Sequence, residues 1–276
     1  TLYIAEARAL RGMFYFELVR RFGNVVLMTS TQMSNQNPAT YVQSAPEKVY
    51  EYIEDDLLYA CDILPYATDD QYRESNDYRF SKGAALGLLT KVYATWAGYP
   101  VKDESKWEAA AKTARILVES GKHGLLKDYE QLWKNTCNGT WDPTESLIEI
   151  SFYSPTVSGN SDPVGRIGKW NGVKTTAIAG VRGSCAANVK VVHTFVLDWR
   201  EDVSDIRRDL SIANYQYTDT KKSLWVAGAS DTDESAAEKD ADPTKAQKNK
   251  QNYTPAKWDI QKYCLLYTSP SPRDIS

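Results

Sequence analysis

The first half of the chain places apolar side chains three and four residues apart, the spacing of helices that bury one face. Four helices are predicted, and each ends at a glycine or proline, residues that cap or interrupt a helix. The positions expected to face the core are, in chain order, Leu10, Phe14, Leu18 and Phe22; Val49, Ile53, Leu57, Ala60 and Leu64; Ala85, Leu89, Val92 and Trp96; and Trp107, Ala111, Ala114 and Val118. The pattern therefore predicts a mainly α-helical fold.

Capping residues indicate where the later helices begin. The hydroxyl of Ser44 can accept a hydrogen bond from the amide of Glu47 while that carboxylate reaches back, and Ser105 with Glu108 repeats this arrangement. The third helix is predicted to begin near Ser81. The third and fourth helices then form a hairpin whose alanines allow close approach, as in a tetratricopeptide unit that lacks the full signature. An unrelated helical bundle fits the same periodicity.

The second half of the chain has a different pattern. Residues 148–152 alternate apolar and polar side chains, as a half-buried strand does. Residues 154–184 are rich in Gly, Ser, Pro and Asn, and they are predicted to form long loops that carry Trp170. Residues 193–199 fit either the start of a helix or a loop. Residues 229–251 have low complexity, with acids first and lysines later, which is typical of a solvated insertion.

Composition narrows the function classes. The chain has 276 residues, 42% hydrophobic and 25% charged, with a formal net charge of -3 and a pI near 5.6. It therefore lacks the basic field that nucleic acid or an anionic membrane requires, and nucleic acid is not an expected partner. No apolar run approaches the roughly 18 residues of a membrane-spanning helix. Three cysteines, Cys61, Cys137 and Cys185, lack metal-site spacing and are interpreted as small buried hydrophobes.

Both ends of the sequence are interpreted as artificial. Residue 1 is a threonine that leads at once into a helical pattern, so an N-terminal portion is expected to be missing. Cys-Leu-Leu-Tyr-Thr-Ser in residues 264–269 is what a transposase sequencing adapter encodes in one frame. We therefore predict a partial domain over residues 1–263 and a non-native segment over residues 264–276.

Six groups of residues, in a fixed order, resemble the SusD/RagB family. They are Glu6, Ala7, Arg8, Leu10, Arg11, Tyr15, Phe16, Leu18, Val19, Arg20 and Gly23; Asp56, Leu57, Ala60, Leu64 and Pro65; Arg79, Lys82, Ala84, Ala85, Leu89, Lys91, Val92 and Tyr93; Trp107, Ala111, Ala114, Gly121, Leu125, Tyr129 and Leu132; Glu145, Ile148, Glu149 and Ile150; and Asp205 with Arg207. Val26 departs from the family, which has a proline there before a strand-like segment.

This resemblance implies a fold and a function. The fold is a SusD-like α-α superhelix of tetratricopeptide-like hairpins, with long loops and a few short strands. The function is that of a non-catalytic outer-membrane lipoprotein on the cell surface, which captures oligosaccharide and passes it to a SusC-like TonB-dependent transporter. The lipid anchor would lie in an N-terminal part that this sequence does not contain.

Capture of a sugar requires a flat aromatic face for the pyranose ring and polar groups for its hydroxyls. Trp170, with Asn171 and Arg166 close by in sequence, is the first candidate because loops on a rigid scaffold usually carry recognition. Trp141 is the second candidate. For either tryptophan, the alternative is a side chain that only covers the edge of the core.

Catalytic motifs are weak. Glu145 and Glu149 would lie about 13 Å apart along a strand, beyond the roughly 5–9.5 Å of a glycosidase pair. His123 and His193 are the only histidines, and neither lies in a recognisable triad motif. Residues 231–242 have acids at some calcium-loop positions but lack the turn glycine and the final glutamate. We therefore predict no catalytic residue, metal site or cofactor.

Two rival functions stay open. An intracellular tetratricopeptide scaffold would bind a peptide in its concave groove and would carry further 34-residue repeats. A glycoside hydrolase would release reducing ends from a polysaccharide.

Overall fold

The structure, a computed structural model, describes residues 1–30, 35, 37–69, 79–138, 140–150, 167–175, 184–200, 204–218, 221–224 and 253–259. These residues are mainly helical, with a few short strands, which confirms the predicted fold class. The chain divides into two compact units. The first comprises Thr1–Leu125 and Asp142–Ile150, and the second comprises Leu126–Trp141 and Ser151–Ser276.

The first unit is built on helices that pack against one another in chain order, α1 on α2, α2 on α3 and α3 on α4. Their bounds are α1 Leu2–Phe22, α2 Pro46–Ile63, α3 Lys82–Ala97 and α4 Lys106–Glu119, with a 3₁₀ turn at Pro38–Thr40. Ile53, Leu57 and Leu89 are fully buried at the centre of the apolar core. The predicted faces of α2 and α3 are therefore confirmed.

The predicted face of α1 is wrong. Leu10, Phe14, Leu18 and Phe22 are exposed, and the buried face carries Ala5, Ala9, Gly12, Phe16 and Val19 instead. The small residues let the helix backbones approach closely. A Cβ atom on Gly12 would lie 3.3 Å from Cγ of Leu57 in α2. Close approach of the backbones therefore decides which face of α1 is buried, whereas side-chain size suggested the opposite face.

The predicted face of α4 is also wrong. Trp107, Ala111 and Val118 are exposed, whereas Ala110 and Thr113 are buried against α3. Thr113 satisfies its hydroxyl by donating to the carbonyl oxygen of Ala109 at 2.9 Å. In α4, as in α1, small side chains therefore lie on the face that packs against the neighbouring helix.

The predicted start of α3 near Ser81 is confirmed, and the two predicted capping boxes are wrong. Oγ of Ser81 accepts from the amide of Ala84 at 3.1 Å. Ser44 instead pairs its backbone with Val25 in an isolated bridge, so α2 begins two residues later at a proline. The hydroxyl of Ser105 donates to Oδ1 of Asp103 at 2.5 Å, and this bond replaces the predicted capping box.

A buried carboxylate ties α1 to α2. Asp56 is fully buried, and its oxygens accept from Nε of Arg8 and Nε of Arg11, each at 2.7 Å. Arg8 also lies over the ring of Tyr59 at 4.3 Å, and Arg11 lies over Tyr52 at 4.8 Å. The hydrogen bond to Asp56 raises the pKa of Arg11. These charged residues, which belong to the groups that resemble the family, therefore have a structural role here.

The second unit contains short helices and two small antiparallel sheets. β1 pairs with β4, and β2 pairs with β3. The bounds are α5 Tyr129–Asn138, α6 Ile167–Asn171, α7 His193–Arg200, α8 Arg207–Ser211, β1 Ile212–Ala213, β2 Tyr215–Thr218, β3 Lys221–Leu224, β4 Thr254–Pro255 and a 3₁₀ turn at Ala256–Trp258. The open question over residues 193–199 is thus answered as a helix.

Among the predictions for the second half of the sequence, the strand is wrong and several others lie outside the described residues. Residues 148–150 form no strand, and 151–152 lie outside the described residues. Just before them, Leu147 lies so close to α3 that a Cβ atom on Gly87 would be 2.6 Å from its Cδ1. This segment is therefore positioned by side-chain packing. The predicted insertion at 229–251 and the segment at 264–276 also lie outside the described residues, and so does most of 154–184. No helix in the described ranges is both long enough and apolar enough to cross a bilayer.

Candidate functional site

The short helix α6 is held by a close contact between two glycines and a tryptophan. Gly168 and Gly172 lie one turn apart, and both face Trp258. A Cβ atom on Gly168 would lie 3.3 Å from Cδ1 of Trp258, and one on Gly172 would lie 2.6 Å from the carbonyl oxygen of Trp258. Only a side chain without a Cβ allows this approach. The helix therefore presents its glycine face inward.

Trp170 consequently lies on the opposite side of α6. Two residues are about 200° of rotation around a helix, so a side chain between the two glycines points away from their contact. Trp170 is 43% exposed, and the neighbouring Asn171 is half-buried. The carbonyl oxygen of Trp170 accepts from the amide of Asn188 at 2.7 Å, which fixes the end of the helix. Trp170 was predicted in a loop, and its place in a helix is a correction.

The segments on either side of α6 are joined by backbone hydrogen bonds. Thr175 and Cys185 exchange two such bonds, of 3.1 and 3.0 Å, and Val173 between them and the helix is fully buried. Sγ of Cys185 also donates to the carbonyl oxygen of Gly168 at 3.2 Å. The thiol of Cys185 is therefore buried against the backbone of α6. The sequence interpretation of the three cysteines as buried residues is confirmed.

An aromatic cluster supports the same helix from α5. The ring of Trp133 lies edge-on to Trp258 at 6.0 Å between centroids and contacts Tyr129 at 6.2 Å in the same manner. Nζ of Lys257 lies 4.5 Å from the centroid of the Trp133 ring, within the range of a cation–π interaction. Trp133, Trp258 and Lys257 were not singled out from the sequence. The four-residue spacing of Gly168 in α6 and Gly172 just after it was the signal that some large side chain packs there.

Two lysines add positive charge near α6. Lys174 follows the helix, and Lys190 lies two residues after the backbone bond from Asn188. Burial, with a smaller contribution from the charge of Lys174, lowers the pKa of Lys190 to about 8. The Lys190 side chain is thus mainly protonated at neutral pH and can donate hydrogen bonds.

The other candidate residues lie elsewhere or outside the description. Arg166 is outside the described residues. Trp141 belongs to the second unit and is half-buried after the end of α5, where the amide of Thr140 donates to the carbonyl oxygen of Asn135 at 2.9 Å. The structure brings together Trp170 and Asn171. A ligand contact by any of these four residues remains a prediction.

His123, one of the groups considered for catalysis, has structural surroundings. Nδ1 of His123 lies 2.7 Å from the carbonyl oxygen of Pro143, and its ring packs beside Tyr66. A Cβ atom on Gly83 would lie 2.1 Å from Nε2 of His123, so the imidazole fills the space over the first turn of α3. Within the described ranges, no cluster of three His, Cys, Asp or Glu side chains could hold a metal ion.

Comparisons with known proteins agree with this fold. Residues 3–94 match the SusD-like family described as starch-binding and associating with the outer membrane. A SusD-like protein of Bacteroides ovatus is 29% identical over 182 residues, which is 62% of this chain and 32% of that protein. The chain thus spans about a third of the length of this curated relative.

Solved structures show the same similarity. A laminarin-binding SusD-like protein superposes with a TM-score of 0.61 at 24% identity, over 92% of this chain and 50% of that protein. A protein crystallised with a xylogluco-oligosaccharide superposes with a TM-score of 0.55 at 27% identity, over 77% of this chain and 41% of that protein. The chain is therefore similar to SusD-like proteins, in sequence over its first third and in fold over most of its length.

Proposed function

We propose that the full-length protein binds an oligosaccharide at the cell surface and passes it to a SusC-like TonB-dependent transporter without cleaving it. The family match supports the proposal, because that family is described as starch-binding and associated with the outer membrane. The similar protein crystallised with a xylogluco-oligosaccharide supports a glycan as the ligand class. Attachment to the membrane through an N-terminal lipid is part of the same proposal.

The single observation that carries the proposal is the position of Trp170. Its ring is 43% exposed although the backbone on both sides of it is held rigidly, by the contact of Gly172 with Trp258 and by the bond from Asn188. A rigid, exposed indole loses little conformational entropy when a pyranose packs on it. Asn171 provides an amide within the same turn for a sugar hydroxyl. We therefore propose these two side chains as the aromatic and polar parts of a carbohydrate subsite.

We infer binding rather than hydrolysis at this position. A glycosidase needs two carboxyl groups on either side of the scissile bond. Lys174 follows α6 in the sequence, and its charge helps to lower the pKa of Lys190. Cationic groups donate hydrogen bonds to hydroxyls or carboxylates but do not serve as the acid and nucleophile of glycoside cleavage. We propose that Trp170, Asn171, Arg166 and Trp141 bind ligand and that none of them is catalytic.

The first experiment separates binding from turnover. Full-length protein is run in native gels that contain xyloglucan, laminarin or starch, and the same mixtures are assayed for reducing ends. We expect retarded migration in at least one gel and no increase in reducing ends. Release of reducing ends would contradict the proposal, and so would unretarded migration in every glycan tested.

The second experiment tests the site with a matched pair of variants. Trp170→Ala is compared with Trp107→Ala, which removes an indole that is 54% exposed on α4 in the first unit. We expect the first variant to lose retardation and the second to keep it. Equal migration of the two variants would remove Trp170 from the site while leaving the glycan-binding proposal in place.

A further inference from the structure

A lysine in the second unit lies against two aromatic rings without an acidic partner. Nζ of Lys257 is 4.5 Å from the centroid of the Trp133 ring and 5.8 Å from that of Tyr129, and all three residues are half-buried. Among the described residues, no carboxylate pairs with this ammonium group. Aromatic faces attract a cation but do not neutralise its charge. The partly desolvated charge of Lys257 is therefore available to an anion.

The backbone fixes the position of this lysine. The pairing of β1 with β4 brings the 3₁₀ turn at Ala256–Trp258 against the end of α8. Sγ of Cys137 donates to the carbonyl oxygen of Lys257 at 3.5 Å, which ties the same turn to α5. Tyr129 and Trp133 lie four residues apart on α5 and so share one face of that helix. Side chains of the helix and the turn therefore converge at fixed positions.

Hydrogen-bond donors gather around the phenol of Tyr129. Its Oη lies 3.3 Å from Oγ of Ser211, and Nε1 of Trp133 is buried with no hydrogen-bond partner in the described part of the chain. Burial raises the pKa of Tyr129, but the donor groups of Ser211, Lys257 and Trp133 outweigh burial and leave the pKa lowered. These four residues, which we call the donor cluster, thus favour a negative charge in their midst.

The acidic residues next to the donor cluster in the sequence have other partners. Asp259 is fully buried and accepts from Oη of Tyr215 at 2.7 Å. Oδ1 of Asp128 accepts from the amide of Glu130 at 2.9 Å, and Glu130 forms an ion pair with a lysine one turn further along α5. The charge of Lys257 is therefore not cancelled by these carboxylates.

We propose that the donor cluster binds the anionic group of an acidic glycan, either the carboxylate of a uronic acid or a sulfate ester. Lys257 supplies the charge, and the hydroxyls of Tyr129 and Ser211 supply hydrogen bonds to the oxyanion. This subsite is separate from Trp170, because Trp258 next to Lys257 contacts the glycine face of α6 and Trp170 lies on the opposite face. The inference rests on the proposed function in one respect, which is that the ligand is a glycan.

Matched pairs of glycans and of variants test the inference on the full-length protein. Native gels contain polygalacturonate or its neutral methyl ester, and dextran sulfate or neutral dextran. Lys257→Met keeps an apolar stem against the rings and removes the charge, whereas Lys127→Met removes an exposed charge in the same unit. We expect Lys257→Met to weaken binding of an acidic glycan roughly 10- to 100-fold, because a charged hydrogen bond is lost. Lys127→Met should keep wild-type affinity, and Lys257→Arg should restore most of it.

The outcomes separate the two anions and the two proposals. Retardation by polygalacturonate alone identifies a carboxylate, and retardation by dextran sulfate alone identifies a sulfate. If neither acidic glycan is bound, or if Lys257→Met and Lys127→Met bind alike, the inference is overturned. Binding of xyloglucan, laminarin or starch in that case leaves the proposed function in place. If no glycan of either kind is bound, both proposals fail.

Titration of Tyr129 in the wild-type protein is an independent measurement that needs no variant. NMR of ring-labelled tyrosine follows its ionisation with and without a saturating acidic glycan. We expect the bound anion to raise the pKa of Tyr129, because a second negative charge beside the phenol disfavours the phenolate, and the neutral methyl ester to leave it unchanged. An unchanged pKa of Tyr129 in the presence of a bound acidic glycan would overturn the inference.

Discussion

Replacement of Gly172 by alanine tests how α6 is held. The added Cβ atom would lie 2.6 Å from the carbonyl oxygen of Trp258, 2.8 Å from that of Gly168 and 3.1 Å from Cβ of Trp258. The two closest atoms belong to the backbone, which cannot rotate away as a side chain can. A shift of roughly half an ångström or more is needed, and overpacking of this kind costs about 1–3 kcal/mol.

An opposing effect is smaller. Alanine reduces the conformational freedom of the unfolded chain, which stabilises the folded state by about 0.4–1 kcal/mol where the geometry tolerates it. The clash therefore outweighs the gain. We expect a net loss of about 1–2 kcal/mol in the free energy of unfolding, which corresponds to a fall of roughly 2–8 °C in melting temperature for a domain of this size.

The assay is thermal unfolding of the full-length protein, with hydrogen exchange at the amide of Asn188 as a local probe. Gly124→Ala is the matched control, because nothing lies within 4 Å of the Cβ atom that it would add. The hydrogen bond from the amide of residue 124 to the carbonyl oxygen of Thr144 is kept. Exchange at Asn188 should be faster in Gly172→Ala, because that amide donates to Trp170 at the end of the displaced helix. If Gly172→Ala melts and exchanges like Gly124→Ala, the close contact with Trp258 does not hold α6.

Three further predictions concern buried groups. Asp56→Ala should lower the free energy of unfolding, measured in urea, by about 3 kcal/mol because two arginines lose their partner. Asp62→Ala, at an exposed position, should change it by no more than about 0.5 kcal/mol, and equal effects of the two variants would refute the buried network. Leu89→Ala should cost about 2–5 kcal/mol, and a smaller change in calorimetric unfolding would contradict its central place. Lys190 should titrate with a pKa near 8 by NMR, and this pKa should rise in Lys174→Gln. Because the pKa of Lys190 in the folded protein lies below its value of 10.5 in the unfolded chain, the free energy of unfolding should rise between pH 8 and about 10.5.

The sequence predicts local features well where no competing partner exists. The predicted start of α3 near Ser81 is confirmed, and the hydroxyl of Ser81 caps the helix there. Ser44 and Ser105 have a capping pattern in sequence, but neither side chain caps its helix. The backbone of Ser44 pairs with Val25, and the hydroxyl of Ser105 donates to Asp103. A capping motif describes a local option, and a tertiary contact a few residues away can remove it.

Helix faces are predicted where side-chain size and burial agree. In α2 and α3 the large apolar residues are also the buried ones, as Leu57 and Leu89 illustrate. In α1 the buried face combines Ala5, Ala9 and Gly12 with Phe16 and Val19, and other large residues such as Phe14 lie outside. Periodicity detects an apolar stripe but does not indicate whether that stripe or the opposite face is buried.

Part of the candidate site could be predicted from the sequence. Trp170 was chosen as an aromatic in a glycine-rich segment, and the structure gives it an exposed ring. The five-residue helix that carries it is too short to show a period, and the contact of Gly172 with Trp258 joins positions 86 residues apart in the sequence numbering. Such long-range packing leaves no local signal beyond the spacing of Gly168 and Gly172.

The central claim is that the exposed ring of Trp170 binds carbohydrate that the protein does not cleave. Isothermal calorimetry of the full-length protein, with the oligosaccharide that retards it most, measures this directly. We expect Trp170→Ala to weaken binding by roughly 10- to 100-fold, about 1.4–2.7 kcal/mol, because a stacked aromatic face is lost, while Trp107→Ala keeps wild-type affinity. Unchanged affinity in Trp170→Ala, or heat from progressive hydrolysis of the ligand, would contradict the account.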